Sequence, residues 1–92
     1  MKYEIAYSNS FKRDYKKMQR RGKDMKKLAE IINTLAAGKP LDKKHRVHTL
    51  QGKYNGMHEC HIEPDWLLVW IVDNDRLVLL FSHTGTHSDL FR

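Results

Sequence analysis

The chain opens on an alternation. Tyr3, Ile5 and Tyr7 fall on one side and Lys2 and Glu4 on the other, which predicts a half-buried strand. Ser8, Asn9 and Ser10 follow as N-cap candidates, and the period then changes. Phe11, Tyr15 and Met18 recur at helical spacing, so residues 10–21 read as an amphipathic helix closed by Gly22. Asp24 can cap a second helix whose apolar stripe is Met25, Leu28, Ile31, Ile32 and Leu35, with Gly38 and Pro40 ending it. Two amphipathic helices joined by a short turn form a hairpin able to cover one face of a sheet.

Residues 39–55 are a polar connection holding His45, His48 and Gly52. "GMHECHI" alternates again, and "EPDW" marks a bend because Pro64 cannot donate to a ladder. "WLLVWIV" is apolar on both faces, the signature of a central strand. "DND" is a turn and "RLVLLFS" the returning strand. The order is β-α-α-β-β-β, an α+β domain spanning residues 1–92, without internal repeat, linker or low-complexity tract.

Composition narrows the class. A chain of 92 residues, 40% hydrophobic and 30% charged, makes one folded domain with a thin core. The single cysteine, Cys60, leaves no internal disulfide and fits a reducing compartment. The start lacks the apolar region of a signal peptide, and the longest apolar run, residues 66–72, is strand-sized. The expectation is a cytoplasmic protein without membrane contact.

The net charge of +6 is unevenly spread. Lys12, Arg13, Lys16, Lys17, Arg20, Arg21, Lys23, Lys26 and Lys27 crowd the helical hairpin, and "KKHR" adds Lys43, Lys44 and Arg46. Such surfaces attract polyanions with an affinity that falls as salt rises. Nucleic acid or an acidic protein is the expected partner; a merely solubilising helix face is the alternative.

Strand alternation assigns faces to the chemistry. Cys60 and Ile62 belong under the helices, so His61 projects from the opposite, uncovered face. Asp65 follows just past the bend, and His83 and His87 arrive on or beyond the strand paired with 66–72. These four side chains can meet near one end of that face, and His48 can join them. Cleaving RNA internally needs a base for the ribose 2′-OH, an acid for the departing 5′ oxygen, and positive charge for the pentacoordinate transition state. Imidazoles suit the first two tasks because their unperturbed pKa is about 6.5. Lys and Arg supply the third, a carboxylate such as Asp65 orients an imidazole, and Phe91 offers a stacking plate for a base. This chemistry requires neither metal nor nucleotide cofactor.

Metal binding is the competing use of these histidines. "HRVH", "HECH" and "HTGTH" pair them, but His58 and His61 lie on opposite faces of a strand and a zinc site usually wants four ligands with chelating geometry, which weighs against metal binding. Cys60 reads as core rather than nucleophile, and no glycine-rich phosphate loop is present.

"HTLQGKYNGMHECHIEPDWLLVW" followed by "HTGTHSDLF" resembles the YafQ branch of the RelE/ParE toxin superfamily. "YEIAYSNSFKRDYKK" and the basic helical hairpin are similar to that family too, so the likeness covers essentially the whole chain. It implies a small twisted antiparallel sheet with two helices on one side. It also implies a type II toxin that cuts messenger in the A site of the 70S ribosome without a cofactor, its basic helices meeting 16S rRNA, and that a cognate antitoxin neutralises it. Carried over position by position, the catalytic set is His48, His61, Asp65 and His87, with Asp65 orienting or tuning rather than transferring the proton. Phe91, His83, Lys43, Lys44, Arg46 and Lys53 form the expected RNA-binding set. His83 departs from the family pattern, where an arginine is expected, and an imidazole stabilises phosphate charge only when protonated. A non-catalytic ParE-like inhibitor and a plain basic nucleic-acid-binding module are the other readings of the same scaffold.

Overall fold

In the computed structural model, which describes residues 1–91, the first strand (β1, Glu4–Tyr7) passes straight into the first helix (α1, Asn9–Arg20) through Ser8. Ser8 Oγ accepts the N–H of Phe11 at 2.9 Å, capping the helix, and donates to the carbonyl of Ser82 at 2.9 Å. One short side chain thus starts α1 and ties it to the far end of the chain. Gly22, with φ of 78°, lets the backbone reverse after α1, as its place in the sequence implied. Asp24 then caps the second helix (α2, Met25–Ala36) through Lys26 N–H.

The sheet is mixed and has five strands in the order β1-β5-β4-β3-β2. β2 (His48–Thr49), β3 (His58–Glu63), β4 (Trp66–Asp73) and β5 (Val78–Gly85) pair in succession, each antiparallel to the next. β1 pairs with β5 in parallel, Glu4 opposite Val78 and Tyr7 opposite Phe81, so the all-antiparallel sheet expected from the sequence is corrected at this edge. β2 is a further addition: two residues inside the connection pair with the start of β3. β5 also begins later than the apolar run, because Leu77 takes a left-handed turn conformation with φ of 54°.

The helices cover one face. Phe11, Met18, Leu28, Ile31 and Ile32 from α1 and α2 bury against Cys60, Ile62, Trp66, Leu68, Trp70, Leu79 and Phe81. Each such fully buried side chain contributes about 1.5–3 kcal/mol. β4 is buried on both faces from Trp66 to Trp70, as a central strand should be. Leu67 and Val69 turn away from the helices yet are equally buried, so the opposite face is not bare. The 39–55 connection and the last described residues lie over part of it. Tyr7 is a smaller correction: expected on the buried side of β1, it is 43% exposed and stacks on Phe11 at 5.2 Å.

Part of the basic hairpin is spent on internal ion pairs. Arg21 and Lys17 meet Asp89 at 2.7 and 3.2 Å, and Lys27 and Lys23 meet Glu63 at 2.9 and 3.5 Å. Lys27 accordingly holds the Glu63 carboxyl below its usual range. Lys12, Lys16, Arg20 and Lys26 remain exposed on the outer helix faces.

Candidate active site

The last nine described residues are built, not frayed. Thr84 is buried; its Oγ1 accepts from Trp66 Nε1 at 2.9 Å and donates to the Leu67 carbonyl at 2.7 Å, anchoring the end of β5. A Cβ on Gly85 would lie 3.0 Å from the Asp89 side chain, so only glycine lets the chain turn back this tightly without displacing it. Thr86 and Asp89 then close a capping box, each side chain bonded to the other's backbone N–H, which starts a single-turn helix (α3, His87–Leu90). Arg21 and Lys17 grip the same Asp89, and Arg21 above all drives its carboxyl far below the ordinary carboxylate range. His87 is the first residue of this pinned turn.

Asp65 completes the placement. Its Oδ1 accepts both the Nδ1–H of His87 at 2.6 Å and the backbone N–H of His87 at 2.9 Å. These two donors, the backbone one foremost, hold the Asp65 carboxyl below its usual range. The bond to Nδ1 leaves Nε2 of His87 facing outward. His61 is oriented similarly: its Nδ1–H donates to the Pro64 carbonyl at 3.1 Å, and its Nε2 points toward Glu59, 3.9 Å from Oε1. His48 Nε2 lies 2.9 Å from the same Glu59 oxygen. His45 Nδ1–H donates to the His61 carbonyl at 2.7 Å, pinning the connection to β3.

The rings form one continuous arc. Centroid separations run 6.4 Å from His48 to His61, 5.7 Å on to His87, 6.4 Å to Phe91, 5.3 Å to Tyr54 and 6.4 Å to His83. His48, His61, Asp65 and His87 are therefore gathered, with Phe91 beside His87, whereas His83, expected in the same group, stands apart from them. His58 is elsewhere, stacked on Trp70 at 5.8 Å on the other face, so the adjacent "HECH" pair does not converge. His83 sits at the far end of the arc with its Nδ1 3.4 Å from Asp14. It helps line a hollow of about 260 Å³ with Ser10, Arg13, Tyr54 and Phe91.

The cations divide. Lys53 lies over the Tyr54 ring at 5.6 Å, beside Phe91. Lys44 and Arg46 border a second hollow of about 260 Å³ against His61 and Pro64. Lys43 is exposed on the same turn as Lys44.

Three participants escaped the sequence reading. Glu59, 4% exposed, is wedged between His48 and His61, and its Oε2 is buried without a hydrogen-bond partner among the described residues. The signal was present, since Glu59 and His61 alternate onto one face; the burial was not foreseeable. Tyr54 donates its hydroxyl to the Leu90 carbonyl at 3.1 Å and so supports the tail, with no sequence cue. Asp89 could have been found from the Thr86–Asp89 capping-box spacing.

The chain is similar to known proteins along nearly its whole length. Residues 3–92 match the family described as bacterial toxin of type II toxin–antitoxin system, YafQ. The chain is 40% identical over 89 residues to the mRNA interferase toxin YafQ of Escherichia coli K12, covering 96% of this chain and 95% of that one. It superposes on YafQ in the E. coli DinJ–YafQ complex with a TM-score of 0.89 at 37% identity, covering 98% and 99% of the two chains. A metal-bound toxin from Helicobacter pylori gives a TM-score of 0.91 at 35% identity, covering 97% and 99%.

Proposed function

Because the chain belongs to the YafQ family of type II toxin–antitoxin toxins, we propose that it is an mRNA interferase that cuts messenger in the ribosomal A site and so stops translation. The observation that carries this reading is the convergence of His48, His61 and His87 with Asp65 fixing His87 through two hydrogen bonds. His87 is the leading general acid or base. Its Nε2 is exposed to an incoming nucleotide, and Asp65 fixes its tautomer and stabilises the imidazolium once a proton is taken up. Asp65 does not take the proton itself, since its carboxyl is held below the ordinary range.

His61, next to His87 in the arc, and His48 beyond it supply the complementary proton transfer and positive charge. Because the ribose 2′-OH is an internal nucleophile, two imidazoles of opposite protonation suffice, and the reaction is metal-independent. Phe91, packed edge-on against Tyr54, stacks on an unpaired base, and His83, Lys43, Lys44, Arg46 and Lys53 meet phosphates along the strand. The exposed lysines and arginines of α1 and α2 face 16S rRNA. The relative in complex with DinJ supports a cognate antitoxin as the protein partner. No described helix is long and apolar enough to cross a membrane, which is consistent with action in the cytoplasm.

Mapping 5′ ends on translating messenger after induction tests the reading. New ends at A-site codons are expected for the wild type and none for His87→Ala. Growth arrest without such ends would assign the scaffold to a non-catalytic inhibitor instead.

A further inference from the structure

Asp14 holds a carboxylate toward a surface that the ribonuclease reading gives to RNA. Its Oδ2 is engaged: the Thr84 N–H donates to it at 3.2 Å, and His83 Nδ1 stands 3.4 Å away. Oδ1 takes no hydrogen bond among the described residues, and Asp14 lines the hollow of about 260 Å³ that it shares with Tyr54, His83 and Phe91. A fixed carboxylate oxygen beside a phosphate strand repels it, unless the oxygen meets hydrogens carried by the same strand.

Arg13 borders the same hollow. Lys17 and Arg21 pair with Asp89, but Arg13 meets no carboxylate among the described residues, and its contact with Ser10 Oγ is a long one at 3.4 Å. Tyr54 meets Phe91 at 89° and His83 at 81°, so aromatic surface bounds the space. Its volume is below that of a drug-sized ligand site and suits a single base. Phe91 also stands 6.4 Å from His87, which makes this hollow the next station along a strand whose cut phosphodiester lies at the histidines.

The polar groups select among bases. The hollow offers an acceptor oxygen on one side chain and a planar fork of donors on the next. Guanine alone carries two adjacent N–H groups, on N1 and N2, together with two adjacent acceptors, O6 and N7, that a guanidinium takes as a pair. Adenine, cytosine and uracil each lack the paired donors. We propose that the hollow is a guanine-selective subsite for a nucleotide flanking the cut. Asp14 Oδ1 accepts from N1–H and N2–H, Arg13 donates to O6 and N7, and Tyr54 and Phe91 stack on the base. This site deepens the messenger-cleaving reading and rests on it. His83, anchored on the other Asp14 oxygen, is left for the phosphate of that nucleotide.

Two measurements test the site. Full-length chain carrying His87→Ala, a change outside the hollow, is titrated with guanosine 5′-monophosphate and with adenosine 5′-monophosphate while the Thr84 amide and the His83 ring are followed by NMR. Both signals should move, with the guanine nucleotide bound at least about fivefold more tightly. Asp14→Asn should erase that preference, since its amide still accepts the Thr84 N–H yet sets its own N–H groups against those of guanine. Equal affinities, or shifts confined to residues outside the hollow, overturn the subsite. Cleavage is then measured on ribosome-bound messengers bearing each base in turn at the positions flanking the cut. Guanine at one of them should raise kcat/KM about tenfold, the scale of one good bidentate contact. That ratio should collapse in Arg13→Gln and Asp14→Asn, whereas a purely structural loss would lower all four rates together. Rates indifferent to the flanking base overturn the subsite and leave the ribonuclease reading standing. A chain that binds the guanine nucleotide in the hollow but cuts no messenger overturns the ribonuclease reading and leaves the guanine site standing.

Discussion

Asp65 Oδ1 accepts two hydrogens from His87, one from the ring at 2.6 Å and one from the backbone at 2.9 Å. The carboxylate therefore fixes both where the histidine starts and how its ring is turned. Asp65→Asn keeps an acceptor of the same shape but replaces charged hydrogen bonds with weaker neutral ones. Cleavage should fall roughly tenfold, about 1.4 kcal/mol of transition-state stabilisation, with substrate affinity little changed. His87→Ala should cost about 10²–10⁴-fold. Single-turnover rates on ribosome-bound messenger check both, and wild-type rates in the asparagine variant would remove Asp65 from the mechanism.

In the proposed mechanism His83 meets phosphate where the family resemblance implies an arginine. Its partner Asp14 also accepts the Thr84 N–H at 3.2 Å, so a longer cation can be held there without rebuilding the strand. A permanent, planar cation binds phosphate better than an imidazole, so His83→Arg should raise cleavage several-fold, about 1 kcal/mol. Single-turnover rates of both proteins are the measurement; equal rates would show that the side chain at this position does not meet the phosphate.

The tail's attachment carries a pH signature of its own. The Asp89 carboxyl is depressed in the folded chain, chiefly by Arg21, so its stabilising effect is complete above the unfolded-state value of about 3.9 and is lost as pH falls below it. Thermal unfolding should therefore show an acid-side loss beginning near pH 4 that Asp89→Asn lacks. At neutral pH the same substitution should cost about 2 kcal/mol, the scale of charge-assisted hydrogen bonds, and should lower activity by loosening His87.

Cys60 is buried in the core beside Glu59, and burial pushes its thiol up to about 12. It should resist thiol reagents at pH 8 in the folded chain and react at once in guanidinium. Activity should survive prolonged treatment of the native toxin with iodoacetamide. Rapid native labelling would mean that the β3–β4 layer opens locally.

The parts of this molecule written in local pattern were the parts legible in sequence. Ser8 and Asp24 cap the helices they were expected to cap, and the run from Trp66 became the central strand. The alternation around Cys60 put His61 on the face where the histidines gather. Alternation gives faces but not neighbours, so it could not say that β1 lies parallel to β5, nor that two residues around His48 would join the sheet. It also gives no depth: Glu59 reads as a solvent-facing charge until the connection folds over it. Tyr54, at the end of a single 3₁₀ turn, gave no periodic signal at all.

The parallel pairing of Glu4 with Val78 sets the order in which the molecule can be put together. Bringing those two strands side by side closes a loop of some seventy residues, an entropic cost of about 4 kcal/mol before any contact rewards it. The hairpins from β3 to β5 face no such barrier, since their partners are close in sequence. The meander bearing His61 and Asp65 can thus form early, whereas Phe81 is sealed only when the first strand docks. Refolding followed at the two tryptophans of β4 and at Tyr7 of β1, which packs on Phe81, should give two distinct time courses.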